Sequence, residues 1–165
     1  SASLSRLKNV VQRTTYAFLP GLIQPDDNFA RRYLNSPEYI LYAKMDSRDR
    51  HHACLVTKTL LNHHPEASSE LVRAALLHDV GKSSSRYRPL HRIFVHLYTP
   101  TNIPPTPRYH GLKGAWQRHL YHSQYGSDLI RRHGGDEKVA ELVEKHHNPQ
   151  GDREAMLLKE VDELF

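Results

Sequence analysis

The chain has 165 residues, 38% of them apolar and 25% charged, the length of one domain and enough to bury a sizeable core. Its lone cysteine, Cys54, excludes an intramolecular disulfide and a thiolate zinc knuckle, and no apolar run approaches the roughly 18 residues of a membrane span. A formal charge of +5 favours an anionic ligand, but the basic residues are scattered and no helix carries a continuous Lys/Arg stripe, so neither a membrane nor a nucleic acid is expected as partner.

Apolar residues recur at spacings of three and four almost throughout, without sustained alternation, so the expectation is an all-α domain with one irregular insertion. Residues 1–20 lack the apolar core of a signal peptide; Leu7, Val10 and Val11 beside Lys8 and Arg13 suggest a short amphipathic helix. A soluble, cytoplasmic protein is expected. Residues 1–35 read as a helical extension, and residues 36–165 as the main domain.

Ser36-Pro37 is a helix start, a cap followed by proline at the first turn, and that helix should run to about Met45. Ser47 can cap the next one. There His52, Leu55, Val56, Thr59 and Leu60 share a face, so His52 points into the core, while His51 lies with Lys58 and Asn62 on a wetter side. Pro65 ends that helix and Ser68 or Ser69 caps the following one, apolar nearly all round from Leu71 to Val80 until Gly81 stops it. This buried helix carries His78 and Asp79 at its end.

From Ser83 to Tyr121 the pattern weakens. A basic, aromatic piece with Arg86, Arg88, His91, Arg92, Phe94 and Tyr98, helical over about 89–98, leads into Pro100, Pro104, Pro105 and Pro107. An insertion of this length suits a cover over a site. Helices are then expected over about 123–133, ended by Gly134-Gly135; over 136–147, ended by Asn148-Pro149; and over 152–165, capped by Asp152. On the last, Leu158, Val161, Asp162 and Phe165 form one stripe, which turns Asp162 inward.

Thirteen histidines make metal ligation the leading chemistry to consider. Five helices bring a polar residue to an apolar face or a helix end: His52, the adjacent His78-Asp79, His122, His146 and Asp162. Burying so many ionisable groups without partners would cost several kcal/mol. One or two divalent cations would neutralise them, and mixed nitrogen and oxygen donors do not choose sharply among manganese, iron, zinc, cobalt, nickel and magnesium. His63, His64, His91, His96, His110 and His133 are expected to be ordinary core or surface histidines.

The segment Ala74-Ala75-Leu76-Leu77-His78-Asp79-Val80-Gly81-Lys82 resembles the signature of the HD-domain phosphohydrolase superfamily, named for its paired His-Asp. Arg50-His51-His52-Ala53-Cys54-Leu55-Val56 resembles that family's first-histidine helix. The stretch from His122 to Ile130, with its His-x-x-x-Gly, resembles the HDIG-type branch; His146-His147 resembles the double histidine after it, and Leu158 to Asp162 the closing aspartate helix. The resemblance covers roughly residues 36–165 in the family's order.

It implies an HD-domain helical bundle and a metal-dependent phosphohydrolase acting on a small phosphate ester, that of a nucleotide being the leading expectation. His52, His78, Asp79 and Asp162 would hold one ion; His122 and His146 would hold a second, with Asp79 bridging and His147 a weaker candidate. Metals of this kind supply an activated water and neutralise phosphoryl charge. Asp79 would anchor and orient, and Lys82 would contact the phosphate or leaving oxygen. Arg86, Arg88, Arg92 and Arg118 could bind phosphates, and Tyr87, Phe94 or Trp116 could stack on a base.

Arg48 stands where some relatives carry an acidic ligand, which disfavours a third ion. Asn148-Pro149-Gln150-Gly151-Asp152 departs from the cyclic-di-GMP phosphodiesterase pattern. The competing expectation is a signalling or sensory module of the same fold that binds a nucleotide or partner without turnover; an intact ligand set favours the enzyme.

Overall fold

A computed structural model describes residues 23–82 and 89–165, with residues 3, 4, 7, 8 and 11; the side chains of residues 89, 92 and 93 lie outside the description. Arg86, Tyr87, Arg88 and the Arg92 side chain, weighed above as phosphate or base contacts, therefore fall outside it. So does most of the expected amphipathic helix; residues 3, 4, 7, 8 and 11 are helical, and Leu4, Leu7 and Val11 are exposed.

The described residues hold eight α-helices and no strand, as the periodicity predicts. They are α1 (Asp27–Tyr33), α2 (Ser36–Ala43), α3 (Ser47–His63), α4 (Ser69–Leu77), α5 (Pro89–Leu97), α6 (Gly111–Arg132), α7 (Glu137–Lys145) and α8 (Arg153–Asp162), with a 3-10 turn at Val80–Lys82.

Short polar side chains open most of them by accepting from an otherwise orphaned backbone N–H. Ser68 and Asp152 cap α4 and α8 as expected. Two starts lie one residue upstream of the expected caps. Asn35 rather than Ser36 caps α2, in a reciprocal box with Glu38, and Asp46 rather than Ser47 caps α3.

Helix α4 is central, packed against α3, α7 and α8, and Leu71, Leu76 and Leu77 are buried with Leu60, Ile130, Leu142, Val143 and Leu158. The α4 helix stops at Leu77, not at Val80. Beyond His78 the chain tightens into the 3-10 turn because α6 crosses directly on it: a Cβ on Gly126 would lie 3.2 Å from the Gly81 nitrogen. His122 and Gly126, four apart on α6, face that turn together.

The largest departure is α6. It begins at Gly111, where φ is +63°, and not near residue 123. Gln117 and Arg118 are polar yet buried. Gln117 donates to the carbonyls of Pro104 and Pro107 and accepts from the Tyr109 N–H. Trp116 donates to Tyr98 O, and Tyr121 and Tyr125 donate to Ile103 O and Pro105 O. The proline loop is thus strapped along α6, supplying carbonyls where loop prolines cannot donate.

Candidate metal centre

Helices α4, α7 and α8 end at one place. His78 and His146 are the C-caps of α4 and α7, and Asp162 is the last residue of α8. Carbonyl ends of helices carry partial negative charge, so their convergence favours a cation. His52 reaches the same place from α3 and His122 from α6.

Two donor groups form there. One ligating atom each from His52, His78 and Asp162 lie within 4.8 Å of one another, and so do one each from His122, His146 and His147. Asp79 stands between the groups. Its Oδ2 is 3.4 Å from His78 Nε2 and 3.9 Å from His52 Nε2, whereas Oδ1 is 3.4 Å from His122 Nε2 and 3.3 Å from Lys82 Nζ. Each carboxylate oxygen therefore faces a different group.

Backbone carbonyls set the orientation of three rings. His78 Nδ1 lies 2.6 Å from Ala75 O, His146 Nδ1 2.5 Å from Val143 O, and His122 Nδ1 3.1 Å from Arg118 O. A carbonyl only accepts, so Nδ1 carries a proton and Nε2 is the nitrogen aimed inward. The Nε2 atoms of His78 and His146 are buried with no hydrogen-bond partner. His122 Nε2 instead meets His147 Nε2 at 2.8 Å. Nitrogen lone pairs converging on two carboxylates, some of them orphaned, are what a bound divalent cation would satisfy; the residues fit the group.

Charge follows the same geometry. Burial pushes His146 down to about 3, with the His78 charge adding to it, and burial with Lys82 holds His122 well below its usual range. Burial alone would lower His78, but Asp79 and Asp162 outweigh it and raise the ring to about 9. Burial likewise opposes ionisation of Asp79 and Asp162, yet both are held far below the carboxylate range: Asp79 by His78, Lys82 and His122, Asp162 by His78 and its 2.8 Å contact with His52. Without a metal, the His78 proton occupies a cation's place.

All six expected ligands are thus brought together, and Lys82 sits beside them. His147 joins the second group more fully than expected; the doubled histidine at a helix end was its only sequence signal. Arg48 pairs with Asp46 at 3.1 Å. Arg118 is buried rather than open to substrate, Trp116 is held against Tyr98, and Phe94 is exposed.

The profile of the HD domain family matches residues 50–165. The chain belongs to the HD-domain family. The match opens two residues before His52 and closes three after Asp162, so the HD domain contains every residue of both donor groups. This is a fold of the metal-dependent phosphohydrolase type, and its His/Asp groups could hold a metal. Comparison with curated proteins and with solved structures found no match. No helix of the described residues is long and apolar enough to cross a membrane.

Proposed function

We propose that this HD domain is a metal-dependent phosphohydrolase that cleaves a phosphate ester of a nucleotide. The observation that carries the reading is the Asp79 carboxylate between two groups of converging ligand atoms, two of them buried nitrogens without a partner. In this assignment His52, His78 and Asp162 would hold one divalent ion and His122, His146 and His147 a second, with Asp79 placed to serve either group. The domain proper is residues 36–165, with residues 1–35 an extension whose α1 shares the core through Phe29 and Ala30.

Bound divalent metals supply a water of near-neutral pKa and neutralise charge on the phosphoryl oxygens. The chain's own residues do the rest. Asp79 fixes the spacing of the two groups; the carbonyls of Ala75, Val143 and Arg118 keep three imidazoles in one tautomer. Lys82, 3.3 Å from Asp79, places an ammonium where a phosphoryl oxygen or the leaving oxygen would sit.

The test is elemental analysis of protein purified without a histidine tag, followed by phosphate release from a nucleotide panel with manganese added. One or two metals per chain with release from a nucleotide is the expected result. Metal without turnover would replace the enzyme by a nucleotide-binding module, and no metal under any loading condition would overturn the centre.

A further inference from the structure

The candidate centre occupies one side of a cavity of about 400 Å3. Five of the candidate ligands form its floor, and Lys82, His96, His119 and Leu120 line the remainder. Three segments build this wall: Lys82 comes from the 3-10 turn, His96 from the last turn of α5, and His119 from α6. The rings of His96 and His119 meet edge to face, 5.8 Å between centroids at 80°, which closes α5 onto the helix that carries His122. His119 lies one turn before His122, and its backbone carbonyl is 3.3 Å from His122 Nδ1.

This wall is rich in hydrogen-bond donors. An ammonium brings three donors and no acceptor, and each imidazole brings an N–H. Among the described residues it holds no carboxylate and no carbocyclic ring, and Leu120 is its one apolar member. A group that only accepts hydrogen bonds and carries negative charge fits it, and phosphate is that group.

We propose that Lys82, His96 and His119 form a second anion subsite, which takes a phosphoryl group next to the one hydrolysed, so that the preferred substrate carries at least two phosphates. This rests on the metal-centre reading above, which accounts for the first phosphate.

The test titrates manganese-loaded protein with inorganic phosphate and with inorganic pyrophosphate, free manganese being kept in excess of either. Wild-type protein should bind pyrophosphate at least about tenfold more tightly, the scale of one or two charge-assisted hydrogen bonds. The His96→Ala/His119→Ala double variant, and the milder His96→Gln/His119→Gln, should lose most of that gap while keeping manganese content and phosphate affinity. Neither pair disturbs the His119 backbone carbonyl, and both side chains are exposed, so folding should be unaffected. Equal affinities in the wild type, or a gap that survives both double variants, would overturn the subsite with the metal centre standing. Absence of manganese or of any phosphate binding from the wild type would refute the centre, and the subsite with it.

Discussion

Gly81 is where a single added carbon should do most to separate the two halves of the centre. A Cβ at this position would lie 2.7 Å from Gly126 N and 2.8 Å from His122 C, and closer still to His122 O. These are backbone atoms of α6, a 22-residue helix, so no side chain can swing aside. Relief requires the 3-10 turn and α6 to part by roughly an ångström, given carbon contacts of about 3.5–4 Å. Overpacking costs about 1–3 kcal/mol, and the upper end applies where the neighbours are rigid. At about 2–4 °C per kcal/mol for a chain of this size, Gly81→Ala should melt about 6–12 °C lower. The same displacement lengthens the 3.4 Å separation of Asp79 Oδ1 and His122 Nε2, so occupancy of the second metal should fall first. Thermal unfolding and elemental analysis of the purified variant read both effects. Gly134→Ala is the control: its φ is +69° and nothing lies within 4 Å of an added Cβ, so it should cost only about 1–2 kcal/mol of backbone strain and no metal. A Gly81→Ala protein that melts within about 2 °C of wild type and binds the same metal would refute this packing argument.

Asp79→Ala should abolish both metal binding and turnover with helix content nearly unchanged by circular dichroism; retained metal stoichiometry would remove Asp79 from the bridging role proposed for it. Because His78 is held protonated up to about 9 in the metal-free site, metal must displace its proton, and affinity should rise with pH until that proton is lost, whereas His146, at about 3, is already neutral and contributes none. Calorimetric titration at pH 7 in buffers of different ionisation enthalpy should then show about one proton released per chain, and release of none would contradict the charge state given to His78. Metal held at a thousandfold excess over its dissociation constant stabilises by about 4 kcal/mol, so chelation should lower the melting temperature by about 8–16 °C; an unchanged melting curve after confirmed loss of the metal would mean that the buried nitrogens have another partner.

Much of the centre was legible in the chain itself. His52 shares its helical face with Leu55, Val56, Thr59 and Leu60, and Asp162 shares one with Leu158 and Val161. A helix sets side-chain direction within a turn or two, so inward polar residues show as exceptions on an apolar stripe. Caps such as Ser68 and Asp152 are equally local, which is why the expected starts of α2 and α3 are off by only one residue.

What needed the folded chain is all long-range. Helix α6 was hidden from residue 111 to 122 because buried Gln117 and Arg118 interrupt the apolar spacing, and the carbonyls that satisfy Gln117 come from Pro104 and Pro107. The end of α4 at Leu77 is set by the α6 backbone against Gly81, a contact that no periodicity within α4 records. His96 read as one more ordinary core or surface histidine, yet its ring meets His119, from another helix, over the cavity. Periodicity dictates which face of each helix turns inward, because that depends on neighbours three and four residues away; which helix ends meet, and so which histidines share a cavity, depends on packing between segments far apart in the chain.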